Sequence, residues 1–378
     1  MNQKTLTLLG IAAAVSIVIA VAVGAWKPTP DFDNSGIRDL VQDLNPSAVH
    51  AIEIEADGES ARLVRQGSGF VVASKLNYPA SIEQIDRVIG ECMKIRTDAR
   101  VTDDPADHEA LKVREVDEGV QHVRFLDADG KLIVGLLVHD EPASDLGRGF
   151  FVRLEGEDAV YHTTDYVSFQ AGSLDYVDKD ILDLPREDIA RVLAQNSGGE
   201  YTILSPEKGK VELQDIPAGK QVKGNGHESV FGAATRLSFT DFQPAADVKD
   251  LTFDSVYEVE TRSQAEYRFE IATQTEPAAT EGGEPTSKYF VRVSAKYVGP
   301  RQVKMEKDAD DAEKKRLEGL MLAQDAVDAF NLQHQSWVYE LPGYKAKVMV
   351  KPLEELLEDE KPPEDAAAPE GDEPPSDK

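Results

Sequence analysis

The chain has 378 residues, with 41 Lys or Arg against 70 Asp or Glu, and a formal net charge of −29 at pH 7. A single core stops growing at roughly 250–300 residues, so this length predicts at least two domains. The acidic charge repels phosphate backbones and argues against nucleic acid as a partner. The one cysteine, Cys92, excludes an internal disulfide.

An uncharged apolar run of 22 residues occupies positions 5–26, between Lys4 and Lys27. As a helix it would be roughly 33 Å long, enough for a hydrocarbon core of about 30 Å. We predict a cytoplasmic amino terminus at residues 1–4, a transmembrane helix at residues 5–26 in the lipid bilayer, and the rest of the chain outside the cytoplasm. A cleaved signal peptide ending near residues 20–24 is the alternative.

The next segment is predicted to be a linker that leads into a hairpin. Residues 27–46 are rich in proline, which suits a tether. In residues 49–56, Ile52 and Ile54 alternate with glutamates, a pattern typical of a half-buried strand. Asp57-Gly58 supplies the turn of a hairpin.

A helix is predicted over residues 81–96. Ser81 and Gln84 have the spacing of a capping box, and apolar residues then recur at helical spacing. These apolar residues are Ile82, Ile85, Ile89, Cys92 and Ile95. Cys92 is therefore interpreted as a buried thiol, since no basic residue is placed to activate it.

Further strands are predicted at residues 123–126, 132–138 and 150–154. Asp129-Gly130 joins the first two as a hairpin turn. Strands, a helix and an antiparallel set in this order predict an α+β fold.

An approximate internal repeat divides the chain. Phe150–Leu154 recurs as Tyr289–Val293, and the Gly58-Glu59 turn is echoed by Gly199-Glu200. The helix at 81–96 has a weaker counterpart at about 227–239. Matches in the same order at a nearly constant offset indicate duplication. The sequence predicts two tandem sheet-rich modules, at residues 47–180 and 181–300.

The carboxyl-terminal part is predicted to form a helix and a strand, residues 301–353, that pack on the modules. One face of the helix carries Leu317, Leu320, Ala323, Val327 and Phe330. Residues 337–339 and 348–350 are predicted to be extended. Residues 354–378 are acidic, lack an apolar face and are predicted to be disordered.

Motifs for catalysis or phosphate binding are absent from the sequence. Neither the phosphate-loop pattern, nor the nucleophile elbow, nor the H-E-x-x-H zinc motif occurs. The glycine-rich stretch Gly219–Gly226 is interpreted as a turn, and His227-Glu228 as a surface pair at a helix start. We therefore expect no catalytic, cofactor-binding or metal-binding residue, no cofactor and no enzyme activity.

Two acidic clusters leave a metal hypothesis open. Asp127 and Asp129 resemble the opening of a calcium loop, but its later ligands are missing, and a hairpin turn explains them. Residues 103–109 crowd five acidic or histidine side chains around Pro105. They would bind a divalent ion or, more simply, begin a short helix with acidic residues at its positive end.

Taken in order, several segments resemble the bacterial family called domain of unknown function 4340. These are residues 4–6 before the apolar run, 49–55, 70–72, 78–80, 100–107, 149–154, 160–161, 178–182, 337–342 and 353–356. The resemblance implies a single-span protein of the bacterial inner membrane with its bulk on the periplasmic side. It also implies an association with ABC transporters of the gliding-motility type and carries over no functional residue.

Three functions are compatible with these features. The leading hypothesis is a membrane-anchored extracytoplasmic accessory or scaffold subunit of a membrane complex, with integral membrane protein partners such as an ABC transporter. The alternative is an envelope module that binds polysaccharide or peptide in a groove between the repeats. Five aromatic residues are candidates to line it, although aromatic residues at this density more often belong to the core: Tyr161, Tyr166, Phe169, Tyr176 and Tyr201. A metal-assisted hydrolase using residues 103–109 is the third.

Overall fold

The computed structural model describes residues 38–42, 44–139, 149–277, 285–300 and 311–360. The chain forms two compact units, Met1–Asp178 (unit 1) and Lys179–Lys378 (unit 2). In both units an antiparallel sheet is combined with helices, which confirms the α+β fold class.

The segment predicted to cross the membrane, residues 5–26, lies outside the described residues, as do residues 361–378 of the acidic tail. Among the residues that are described, no helix combines the length and the apolar character needed to cross a bilayer.

Unit 1 is built on a ten-stranded antiparallel sheet and one helix, α1 (Ile82–Lys94). Its strands are β1 (Arg38–Asp39), β2 (Ala51–Ala56), β3 (Glu59–Gln66), β4 (Gly69–Val72), β5 (Tyr78–Pro79), β6 (Arg96–Thr102), β7 (Val120–Leu126), β8 (Leu132–His139), β9 (Phe150–Leu154) and β10 (Val160–Thr163). They are ordered β1-β6-β10-β9-β8-β7-β2-β3-β4-β5. Short 3-10 helices lie at Pro46–Ala48, Pro105–Asp107 and Ser173–Tyr176.

Local sequence signals explain the elements of unit 1. Asp57 and Gly58 both have positive φ, as a tight β2–β3 hairpin requires. The Ser81 side chain accepts a hydrogen bond from the backbone N–H of Gln84 and caps α1, which confirms the predicted helix start. Cys92 is fully buried on the inner face of that helix, as predicted.

The second half of the predicted linker is part of the folded unit. Residues Arg38–Asp39 pair with β6 at one edge of the sheet. Leu40, Val41 and Leu44 are buried. The predicted linker of residues 27–46 therefore extends no further than the residue before Arg38. Packing on unit 1 removes the apolar side chains that follow from water.

Unit 2 is built on an eight-stranded antiparallel sheet, two two-stranded sheets and three helices. Its helices are α2 (Gly226–Phe231), α3 (Asp311–His334) and α4 (Gly343–Met349). Its strands are β11 (Asp180–Leu182), β12 (Ile189–Asn196), β13 (Gly199–Leu204), β14 (Glu212–Leu213), β15 (Lys220–Val222), β16 (Leu237–Ser238), β17 (Asp241–Pro244), β18 (Ser255–Thr261), β19 (Ala265–Glu276), β20 (Thr286–Tyr297), β21 (Trp337–Leu341) and β22 (Leu357–Asp359). Its 3-10 helices are Arg186–Asp188, Ala245–Asp247 and Leu353–Leu356.

The main sheets of the two units have the same strand order. In unit 1 eight strands run β6-β10-β9-β8-β7-β2-β3-β4, and in unit 2 the order is β17-β21-β20-β19-β18-β12-β13-β14. The repeated segments found in the sequence fall on equivalent strands. Phe150–Leu154 forms β9, Tyr289–Val293 lies in β20, and the two Gly-Glu turns begin β3 and β13.

Helix α3 lies between β20 and β21 along the chain and packs on the sheet of unit 2. All five predicted apolar positions of this helix are buried. β21 pairs with both β20 and β17, so it is an integral strand of the sheet. The prediction of an extended segment at 348–350 is wrong for its first two residues, which belong to α4. Ala346 and Met349 are buried from the same face of that helix, and this packing stabilises the helical turn. The prediction of disorder is wrong for the start of the acidic tail, because Leu356 is buried and β22 pairs with β15.

The Asn331 side chain of α3 makes the hydrogen bonds to Ala295 of β20 that a neighbouring strand would otherwise make. Its Nδ2 donates to the Ala295 carbonyl at 2.7 Å, and its Oδ1 accepts from the Ala295 N–H at 2.8 Å. We expect Asn331→Ala to lower the free energy of unfolding by about 2 kcal/mol, because two backbone groups lose their partner. Denaturant unfolding measures this, with Leu332→Ala as the control, since Leu332 is 80% exposed. Equal midpoints for the two variants would contradict the prediction.

Candidate functional site

A network of ionisable side chains lies on the polar face of the unit 1 sheet. The Glu155 carboxylate lies 3.0 Å from His122 Nε2 and 3.0 Å from Arg124 Nε. Arg124 also contacts Glu53 at 3.1 Å, and Glu53 contacts Arg62 at 3.1 Å. The charges alternate across neighbouring strands, and each carboxylate has a cationic partner. The network therefore suits stabilisation of the sheet better than proton transfer.

An open groove of about 800 Å³ adjoins this network. Its walls are formed by the β2–β3 turn and the segment before β7, and they carry six carboxylates. These are Glu55, Asp57, Glu59, Glu115, Asp117 and Glu118. Arg114 binds Asp117 at 2.7 Å and holds the pKa of that carboxyl below its usual value, against the opposing effect of burial. Within the described part of the chain, no three His, Cys, Asp or Glu side chains are grouped so that they could hold a metal ion.

The predicted acidic cluster at residues 103–109 is used locally. Asp104 accepts a hydrogen bond from the Ala106 N–H and caps the 3-10 helix, which confirms the helix-start interpretation. Asp103 pairs with Arg100, and Asp107 accepts from Thr102 at 2.6 Å. These carboxylates stabilise their own turn and do not converge on a common point.

The other motifs singled out in the sequence also occupy structural positions. Asp127 Oδ1 accepts from the N–H groups of Asp129 and Lys131, so this pair forms the β7–β8 turn as predicted. The stretch Gly219–Gly226 forms a turn, β15 and the start of α2. Burial raises the pKa of the Cys92 thiol, and Glu91 adds to the effect, so the thiol is kept in its unreactive form.

A second groove runs along α1 in unit 1. Two adjoining cavities of about 490 and 270 Å³ share Glu91 of α1 and Tyr166 of the segment after β10. Tyr166 is 79% exposed, and its ring meets the Phe150 ring edge to face at 5.6 Å. The remaining wall is mixed. Its polar and charged residues are Asp39, Gln84, Arg87, Lys94, Arg96, Asp165, Ser168, Gln170 and Asp175, and its apolar and aromatic residues are Val88, Met93, Ile95, Val167, Phe169 and Tyr176. This groove combines an open aromatic face with hydrogen-bonding side chains.

Of the five aromatic residues that were candidates to line a groove, only Tyr166 is exposed. Phe169, Tyr176 and Tyr201 are core residues. The Tyr176 hydroxyl donates to the Gln170 carbonyl, and burial raises the pKa of this phenol. Tyr161 is half-buried beneath the Arg38 guanidinium, 5.4 Å from its ring centre. No periodic element spans residues 164–172, so the sequence held no pattern that separates Tyr166 from the buried aromatics.

The family described as Domain of unknown function (DUF4340) matches residues 71–256. This part of the chain belongs to the DUF4340 family. The match begins in β4 and ends in β18, so it spans the boundary between the units and includes α1 and Tyr166. No curated protein and no solved structure matches the chain.

Proposed function

We propose that this chain is a membrane-anchored, extracytoplasmic accessory or scaffold subunit of a membrane complex, with an ABC transporter as the expected complex. The proposal rests on one observation. The main sheets of both units have the same strand order, and the charged side chains on each sheet form ion pairs with one another. In unit 2, Arg268 pairs with Glu258 and Glu270, much as Arg124 pairs with Glu53 and Glu155 in unit 1. Such surfaces suit rigid presentation to a partner better than chemistry.

The equivalent strand orders also support an origin of the two units by internal duplication. Duplicated modules on one anchor give a partner two related surfaces without a second anchor. Tandem binding modules gain avidity because the second contact is intramolecular.

The short tether supports a location at the membrane surface. Between a span ending at Trp26 and β1 beginning at Arg38 lie eleven residues. Fully extended, they reach at most about 40 Å. With residues 5–26 as a single span of the bacterial inner membrane and the units on the periplasmic side, β1 stays within this distance of the bilayer.

Purification from mild detergent tests the scaffold proposal. With a carboxyl-terminal tag and native expression, we expect an integral membrane protein to be recovered with the chain in near-equal amount. Replacement of residues 5–26 by an unrelated apolar span should keep the partner, whereas a variant holding only residues 1–37 should lose it. Recovery of the full chain alone would count against the proposal.

Protease treatment tests the location. In spheroplasts, added protease should degrade both units, because they face outward. Protection of the carboxyl-terminal tag until the cells are lysed would place the units in the cytoplasm and contradict the proposal.

A second candidate function is binding of an envelope ligand, polysaccharide or peptide, in the α1 groove of unit 1. The observation that favours it is Tyr166, an aromatic ring held by Phe150 with most of its surface open. Tyrosine rings of this kind are used as recognition surfaces because they offer a large rigid face and a polar tip. This groove lies within unit 1, whereas the sequence had suggested one between the repeats.

A further inference from the structure

The tyrosines of this chain are divided sharply by exposure. All eleven lie among the described residues. Nine are buried or half-buried, while Tyr166 and Tyr344 are 79% and 72% exposed. An exposed tyrosine loses the hydrophobic stabilisation of burial, so two isolated exceptions call for a common explanation.

These two tyrosines occupy equivalent positions in the two units. β10 and β21 have the same place in their sheets, each between the strand at one end of the shared order and β9 or β20. β10 ends at Thr163 and β21 ends at Leu341, so each exposed tyrosine lies three residues beyond its strand. The sequences around the two differ, yet both keep the exposed ring.

A neighbouring side chain holds the backbone at each site. In unit 1 the Asp165 carboxylate accepts from the Arg96 N–H at 2.9 Å and pairs with the Arg96 guanidinium at 3.6 Å. In unit 2 the Lys345 ammonium donates to the Thr235 carbonyl at 2.9 Å, just beyond α2. Both rings are therefore presented from an ordered backbone, which lowers the entropy cost of binding.

The mixed polar and apolar wall around Tyr166 matches the chemistry of a sugar. A pyranose presents an apolar C–H face, which packs on an aromatic ring, and a rim of hydroxyl groups, which need donors and acceptors. Glu91 and Lys94 line the cavity that contains Tyr166. Neither side chain is hydrogen-bonded or ion-paired within the described residues, so both are available to hydroxyl groups.

We propose that Tyr166 and Tyr344 are matched stacking positions for a saccharide, one in each unit. This inference deepens the ligand-binding function proposed above and names its ligand class. The ligand is an uncharged glycan, because a chain with a net charge of −29 repels anionic ones. A repeated binding position suits a polymer of repeating sugars, since each unit can bind the same group.

Calorimetric titration of the full chain in detergent tests this, with cellohexaose, chitohexaose and maltohexaose as neutral probes. At least one should bind with two equivalents per chain, and anionic hexagalacturonate should not bind. Tyr166→Ala and Tyr344→Ala should each leave one equivalent and weaken the lost site by at least about tenfold, while the double variant should bind none. Tyr166→Phe keeps the ring and should retain binding. Leu332→Ala, also at a highly exposed position, is the matched control.

Two outcomes would overturn the saccharide proposal. One is that no neutral probe binds more tightly than about 10 mM. The other is binding that the double tyrosine variant retains in full. If the tyrosine variants instead abolish recovery of a membrane partner and no sugar binds, the rings anchor a protein and the scaffold function stands. If sugar binds and no partner is recovered, the scaffold function fails and the saccharide site stands.

Discussion

Gly135→Ala is expected to destabilise unit 1 by about 3 kcal/mol, although it adds a single methyl group. A Cβ at Gly135 would lie 2.3 Å from Glu155 Oε2 and 2.6 Å from Glu155 Cβ. The Glu155 N–H donates to the Gly135 carbonyl at 2.8 Å, so the backbone cannot separate freely. The methyl group must therefore push the carboxylate away from the His122 ring nitrogen and from Arg124, which leaves the Arg124 charge poorly paired. Urea unfolding of the two proteins measures the difference.

Gly90→Ala is the matched control, because it makes the same chemical change with the opposite expected sign. Gly90 lies inside α1, and a Cβ there would meet nothing within 4 Å. Alanine should stabilise this helix by about 0.5–1 kcal/mol, since glycine is the poorer helix former. Destabilisation by both substitutions, or by neither, would show that the contact with Glu155 does not decide the outcome.

Acidification from about pH 6.5 to pH 4 is expected to destabilise unit 2 by up to about 3 kcal/mol through one residue, His334. This side chain is 3% exposed, and burial lowers its pKa from 6.5 to about 4. The unfolded chain then binds a proton at a higher pH than the folded chain does. Stability is therefore complete above pH 6.5 and is lost as pH falls through the folded-state pKa.

Substitution of His334 by glutamine separates its contribution to the pH dependence of stability from that of other groups. His334 Nδ1 lies 2.7 Å from the Tyr339 hydroxyl, and glutamine keeps a polar group for this contact. His334→Gln should lower stability at neutral pH but flatten its dependence between pH 6.5 and 4. His50→Gln removes an exposed histidine in unit 1 and should leave the slope unchanged. An unchanged slope in the His334 variant would mean that other groups cause the acid sensitivity.

Local patterns in the sequence predicted the individual elements of both units well. The Asp-Gly turns, the Ser81 cap and the apolar face of α3 depend on contacts within a few residues, and each is present as expected. The segment at 348–350 was misjudged because short apolar runs suit a strand or a helix equally. Its state depends on burial of Ala346 and Met349, which no local pattern reveals.

The sequence did not locate the candidate site. Its aromatic residues were visible in the sequence, but the exposure of each depends on distant segments that cover it. Phe169 is covered and its N–H donates to Gln121, whereas Tyr166, three positions away, faces outward. The equivalence of Tyr166 and Tyr344 became visible only from the strand order, because the residues around them do not align by sequence.

Spacing and composition alone were sufficient for the α+β class, the repeated segments and the buried role of Cys92. All of these follow from short-range periodicity or from order along the chain. The shared strand order, the inclusion of β21 in the sheet and the separation of exposed from buried tyrosines required the tertiary structure. These features depend on which residues, far apart in the sequence, pack against one another. The pattern within a single segment does not determine that packing.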